Sequence, residues 1–429
     1  MKVLIISHLP MATQNNVGKT FLSLFSSFDR EELCQLYIYP CYPDVDRCAS
    51  FNRVTDKDVL RSMLVKKPGG EVDRSRIQET AGLYERPEDE SFYRNRKNKS
   101  ALRRLLRDLM WSMSRWNNDQ LKDWLDREKP ECIFVAPGQA AFVYNFALKI
   151  AGDRKLPIVS YICDEYYFVK EPEQRLDKLR LRHLRNKIRE LVEASSSLAM
   201  ISEELCQAYT EEFATKVDVF MTGTSYAIAK HPRLTEHPTV ISYFGNIRCN
   251  RYISLGEVGR ELDCINQEQG TDYKLKIYTS EKDPEILETF SDIHAVELCG
   301  FLTGEAYQKA FQQAELLLHV EAFDAESVDF VKHSISTKIA DSLASGIPLL
   351  AYGPESISSM QHLLRNDCAS TAVSRLQLRD MLLSAFSDKK EMERVVYNAR
   401  KVAEKYHDSH ATSLRLRECI GTIIEKKAD

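Results

Sequence analysis

Two doubly wound α/β domains are the fold class this sequence predicts, and three observations predict it. Short apolar runs rich in β-branched residues alternate with longer segments of helical period, as parallel βαβ units covered by helices on both faces require. The alternation runs through once, stops at a polar stretch holding Pro232 and Pro238, and then begins again. A chain of 429 residues, 43% hydrophobic and 28% charged, is long enough to bury two cores of ordinary domain size.

The first series of strand-like runs comprises KVLIIS (Lys2 to Ser7), LYIYP (Leu36 to Pro40), CIFVAP (Cys132 to Pro137), PIVSYIC (Pro157 to Cys163), SLAMIS (Ser197 to Ser202) and VDVFMTG (Val217 to Gly223). The second comprises TVISYFGN (Thr239 to Asn246), KLKIYT (Lys274 to Thr279), AVELCGFL (Ala295 to Leu302), LLLHVE (Leu316 to Glu321) and PLLAYG (Pro348 to Gly353). A hinge is expected within 224–238, between an N-terminal Rossmann-like domain, 1–225, and a C-terminal one, 235–400. From Lys389 to Lys427 the period is helical, and residues 401–429 are expected as a helix that crosses back to the first domain.

Composition excludes several classes. The net charge of −4 gives no global attraction to nucleic acid, and none is expected as a partner. Eleven cysteines, an odd number without a C-x-x-C pair, fit a reduced, cytoplasmic setting. The apolar run Val3 to Ile6 ends at Ser7 and His8, too short for a secretory core, and no run approaches the roughly 18 apolar residues of a membrane span. Contact with the inner face of a membrane would be peripheral. Residues 94–116 set Arg94, Arg96, Lys97, Lys99, Arg103, Arg104, Arg107 and Arg115 around Leu102, Leu105, Leu106, Leu109, Met110 and two tryptophans. Such a stripe reads either as the buried face of a surface helix or as an interfacial membrane element, and the first reading is the commoner.

The segment HSISTKIADSLASGIPLLAYG, His333 to Gly353, is the most informative. Ser334, Ser336 and Thr337 are good caps for a helix that Gly346 and Pro348 stop. Unpaired N–H groups at such a helix start favour anions, so a diphosphate can rest on Ile335 to Thr337 with Lys338 adding charge. Asp341, one turn on, can accept ribose hydroxyls. An ordinary capped helix of a sheet protein fits these residues equally well.

This stretch resembles the retaining GT-B glycosyltransferases, particularly family four, in which it reads E-G-F-G-L-P-L-L-E-A-M-A-S-G-x-P. His333 falls on the first glutamate and Asp341 on the second, while Ala344, Ser345, Gly346 and Pro348 match directly. The Ser336 to Ile339 variant looks like that of polysaccharide-building members. Phe244 to Ile247 with Arg251 resembles the family's G-R-L-x-x-x-K segment, with Asn246 at the arginine and Arg251 at the diphosphate-binding lysine. Arg248 stands near to compensate. Gly300, Phe301 and Leu302 resemble the loop whose backbone reads the nucleobase. In the first domain Gly18, followed by Lys19 and Thr20, stands where the family brings glycine toward the phosphates and sugar. That run also mimics the end of a P-loop, but Thr13 stands where the leading glycine belongs.

Candidates for the reacting centre are Asp164, at the end of PIVSYIC, to orient or deprotonate an acceptor hydroxyl, and His333, against the sugar or leaving phosphate. Glu321, Asp324 and Glu326 are further carboxylates nearby. Asp44, Val45 and Asp46 have the spacing of a metal dyad but lie in a proline-flanked loop, and no metal site is expected. The resemblance implies GT-B architecture, two Rossmann-like domains facing a central cleft. It further implies a retaining, metal-independent, hexosyltransferase-type enzyme without a cofactor. Such an enzyme moves a sugar from a nucleotide-sugar donor, UDP-sugar favoured, to a glycan or lipid-linked acceptor. Two alternatives share the fold: a catalytically silent subunit of a partner transferase, and a nucleotide-sugar epimerase.

Overall fold

A computed structural model describes residues 1–13, 15–62, 69–77 and 101–428. Arg94, Arg96, Lys97 and Lys99 of the basic stretch lie outside the described residues. The chain divides into two compact units, Met1–Thr222 with Ser409–Asp429, and Gly223–Asp408.

The first unit carries β1 (Val3–Ser7), β2 (Leu33–Tyr37), β3 (Ser50–Arg53), β4 (Gly70–Glu71), β5 (Cys132–Ala136), β6 (Ile158–Ile162), β7 (Ser197–Met200) and β8 (Val217–Val219). They form one sheet in the order β4-β3-β2-β1-β5-β6-β7-β8. Every pairing is parallel except β3 with β4. Strands β1, β2 and β5 are buried along their whole length, which is why their sequences run apolar instead of alternating. The sheet reverses its winding between β1 and β5, the place where such sheets open a crevice at the carboxyl ends of their strands.

The second unit carries β9 (Val240–Phe244), β10 (Lys274–Tyr278), β11 (Val296–Gly300), β12 (Leu316–Val320), β13 (Leu349–Tyr352) and β14 (Ser370–Ala372). Their order, β11-β10-β9-β12-β13-β14, is that of a doubly wound dinucleotide-type sheet, with the reversal between β9 and β12.

Three strands escape the sequence reading. β3 holds one apolar residue in four, β4 only two residues and β14 three, so none makes a hydrophobic run. β2 also starts at Leu33, ahead of the expected Leu36, because the buried strand includes Gln35. The Gln35 amide is satisfied inside by the Ser7 hydroxyl at 2.9 Å and the Met11 N–H at 2.9 Å.

The C-terminal helical stretch is two helices, Lys389–Tyr406 and Ser409–Ala428, and the break between units falls at Asp408/Ser409 instead of at 401. Ser409–Ala428 packs on the helix Asn16–Leu24 of the first unit. The Ser27 N–H donates to the Ser413 hydroxyl at 2.9 Å, and Arg417 donates twice to Glu32, each at 2.6 Å. No helix among the described residues is long and apolar enough to cross a membrane.

Candidate nucleotide site and acceptor pocket

In the second unit the polypeptide leaving β9 turns at Gly245, and that leaving β12 begins with Glu321, so both lie at the reversal of the sheet. The helix Arg251–Gln269 starts beneath them. Arg251 makes a two-pronged pair with Glu321, Nε to Oε2 at 2.9 Å and Nη2 to Oε1 at 3.1 Å. Glu321 is only 3% exposed, and the Ser254 hydroxyl holds its carbonyl at 2.8 Å. Burial pushes the Glu321 carboxyl above its usual range, while Arg251 pulls it back. Arg251 is therefore neither a solvated surface cation nor a freely extended phosphate ligand.

Beside this pair stands His319 of β12, 8% exposed, its Nε2 3.5 Å from Glu321 Oε1 and without a hydrogen bond among the described residues. Burial, helped by Arg251 and Lys338, lowers its pKa to about 3, so the ring is neutral and the contact is no ion pair.

The helix Thr337–Ala344 begins here with Ser336 in an extended conformation, and no side chain caps it. The Ser336 N–H donates to the Ser359 hydroxyl at 3.2 Å, leaving the Ser336 and Thr337 hydroxyls unengaged among the described residues. The Lys338 ammonium reaches over the β9 turn: a Cβ added to Gly245 would lie 3.1 Å from Nζ, so the glycine is what admits the lysine. Gly245, Lys338, the open helix start, Glu321, Arg251 and His319 thus gather at one place.

Other expected residues stand differently. Asp341 gives Oδ1 to the Thr224 hydroxyl at 2.8 Å, the Ser225 N–H at 3.0 Å and the Ser225 hydroxyl at 3.2 Å. Only its Oδ2 takes no hydrogen bond among the described residues. Asn246 is exposed and closes its own turn, Oδ1 accepting from the Arg248 N–H at 2.7 Å. Arg248 is paired with the buried Glu281 at 2.6 and 3.1 Å and draws that carboxyl down to about 2. Leu302 lies past β11, on the edge of the sheet and two strands from β9. His333 sits half-buried between the helix Ala325–Val331 and Ser336.

In the first unit a pocket of about 570 Å³ opens at the ends of β1, β5 and β6, lined among others by His8, Tyr39, Tyr42, Gln139, Asp164 and Tyr166. Asp164 is exposed there and accepts a long bond from the Tyr166 hydroxyl at 3.3 Å. His8 donates from Nε2 to the Pro137 carbonyl, and burial lowers its pKa to about 4. Gly18 does not line this pocket. A Cβ there would lie 2.2 Å from the Ala12 carbonyl oxygen, and Asn15 already caps its helix, Oδ1 accepting from the Gly18 N–H at 2.6 Å. Close packing accounts for this glycine. Thr13, at the head of the P-loop look-alike, donates its N–H to Asp44 at 2.8 Å.

Sequence reasoning passed over His8 and His319 as functional groups, whereas Glu165 stands beside Asp164 at the end of PIVSYIC, as that run suggests. Glu165 accepts from the Tyr167 and Phe168 N–H groups, and burial raises its pKa to about 7. The usable signal was position, since each lies in or just after an apolar parallel strand. Among the described residues no group of three His, Cys, Asp or Glu side chains is placed to hold a metal ion.

No family model matches this sequence, and no curated protein does. Solved structures do. HepE of Anabaena, in complex with UDP and glucose, matches 98% of this chain and 100% of its own at 10% identity and a TM-score of 0.63. The trehalose-phosphate synthase (UDP-forming) of Burkholderia xenovorans, in complex with glucose-6-phosphate, matches 97% and 99% at 10% identity and a TM-score of 0.60. The sucrose-phosphate synthase of Thermosynechococcus elongatus matches 99% of each chain at 11% identity and a TM-score of 0.59. The two doubly wound units are those of the GT-B architecture.

Proposed function

We propose that this chain is a glycosyltransferase that moves a sugar from a nucleotide-sugar, a UDP-sugar by preference, to a glycan or lipid-linked acceptor. The observation that carries the reading is the uncapped helix start at Ser336, with Lys338 laid over Gly245 at the reversal of the second sheet. A helix start that no N-cap side chain closes, with an ammonium beside it, suits a diphosphate. Supporting it, HepE, of the same fold, was crystallised with UDP-glucose and with UDP and glucose.

In this reading the diphosphate rests on Ser336, Thr337 and Lys338, with Arg251 set behind it by Glu321. The ribose meets Oδ2 of Asp341, the base lies against the backbone near Leu302 and the turn at Asn246, and His333 faces the sugar. An acceptor hydroxyl in the first unit's pocket meets Asp164. The enzyme is a retaining, family-four type of the polysaccharide-building kind, acting in the cytoplasm at the inner face of a membrane without a metal or cofactor.

Calorimetric titration with UDP, GDP and ADP, followed by product analysis with labelled UDP-sugars and chelator present, tests it. Selective UDP binding and a glycosylated product are expected. A folded chain that binds none of the three nucleotides would remove the proposal. A second reading, a silent subunit, draws on the engagement of Arg251 by Glu321 and of Asp341 by Thr224. It predicts a folded chain that binds none of the three nucleotides and transfers no sugar.

A further inference from the structure

We infer that the helices Ala101–Met113 and Arg175–Ala194 form a docking surface for an anionic lipid bilayer. The first is fixed from within: Trp111 is fully buried, stacks on Phe142 at 4.3 Å between centroids, and donates Nε1–H to Asp56 at 2.6 Å. On the opposite side Leu102, Leu106, Leu109 and Met113, spaced 4, 3 and 4 residues apart, form one stripe, and each is more than half exposed. A surface helix is expected to hide its apolar side, so the commoner reading of this stretch accounts for Trp111 and leaves the leucines unexplained.

The second helix packs against the first and adds the exposed Leu176 and Leu179. Together the two helices carry ten basic and four acidic side chains in a chain whose net charge is −4. Five of these cations, Arg103, Arg104, Arg175, Lys178 and Arg182, have no carboxylate partner among the described residues, whereas Arg107 pairs with Asp56 and Arg189 with Glu212. Exposed aliphatic side chains with unpaired cations beside them match the chemistry of a bilayer interface, acyl chains below and lipid phosphates around. A second copy fits poorly, because apposing two such faces would bring ten unpaired cations together without counter-charge.

The surface uses no residue of the nucleotide site; it deepens the membrane-face placement of the proposed function, and its test is separate from nucleotide binding and transfer. Co-sedimentation of the full chain with phosphatidylcholine vesicles, with and without phosphatidylglycerol, tests it. Binding to the anionic vesicles alone is expected, weakening as salt rises. The double variant Leu106→Asp/Leu109→Asp should abolish it, and its unchanged melting temperature would show that the fold is intact. Each cation removed should weaken binding about fivefold, about 1 kcal/mol, so Arg103→Glu/Arg175→Glu/Arg182→Glu should lose at least about 100-fold. The inference is overturned if the wild-type chain ignores anionic vesicles or the charge-reversed variant binds undiminished. A dimer in sedimentation equilibrium that Leu106→Asp/Leu109→Asp converts to monomer would also overturn it, giving the face to a second copy. Vesicle binding without sugar transfer would leave this surface standing, and transfer without vesicle binding would remove it alone.

Discussion

Two helix starts in this molecule carry phosphate-loop-like residues, Gly18-Lys19-Thr20 in the first unit and Ser336-Thr337-Lys338 in the second, and they differ in what already satisfies them. At the first, Asn15 takes the Gly18 N–H and the glycine is pressed on the Ala12 backbone, so the helix start is closed by its own chain. At the second no side chain caps the helix, and the glycine nearby makes room for a lysine. A phosphate-binding composition therefore describes a site only where the helix's own N-cap side chain has not already closed the start.

The largest effect is expected at the pair behind the second helix start. Glu321→Ala would strand the Arg251 guanidinium, which is mostly buried, and is expected to lower stability in urea unfolding by about 3–5 kcal/mol. Gly18→Ala comes next, since its methyl group meets immovable backbone; a loss of about 2–3 kcal/mol is expected, with no specific effect on UDP affinity in whatever fraction stays folded. Lys338→Ala should do the reverse, leaving the melting temperature in place and weakening UDP binding about tenfold, the worth of one charge-assisted contact. An unchanged dissociation constant would close the second start as well.

Asn15→Ala removes a working cap and should cost about 1 kcal/mol, whereas Ser336→Ala, which removes none, should stay within about 0.5 kcal/mol in the same unfolding assay. Acid offers a last comparison. Unfolded His8 and His319 take protons near pH 6.5, but folded they resist to about 4 and about 3, so both contributions to stability decline as pH falls below 6.5. Glu165 acts oppositely: folded, it keeps its proton to about 7, and its contribution declines as pH rises from about 4.5. Unfolding of wild-type, His319→Gln and Glu165→Gln proteins at pH 5 and 8 should show a flatter acid loss for the first variant and a gain at pH 8 for the second.

Five of the second unit's six strands were legible because each is an apolar-rich run between turn signals, and Gly346 and Pro348 marked where the helix from Thr337 stops. β3 and β14 were not legible, because short or polar strands take their place from neighbours already in the sheet. At the nucleotide site the helix start and Lys338 could be read from local spacing. The Arg251–Glu321 pair joins residues 70 positions apart, and no local pattern announces it. The same holds for Asp341, whose link to Thr224 spans 117 positions. The exposed leucine stripe failed for another reason: periodicity reveals that a helix has an apolar side, but not which of two apolar sides the core takes.

The first unit is assembled from two separate stretches of chain, and this gives its birth an order. At ribosomal rates of about 5–20 residues per second, the roughly 190 residues of the second unit take about 10–40 s to emerge before Ser409–Ala428 appears. For that interval the helix Asn16–Leu24 and the Glu32 carboxylate lack the helix that later covers them. The nascent first unit is thus a natural client for a chaperone until its closing helix arrives.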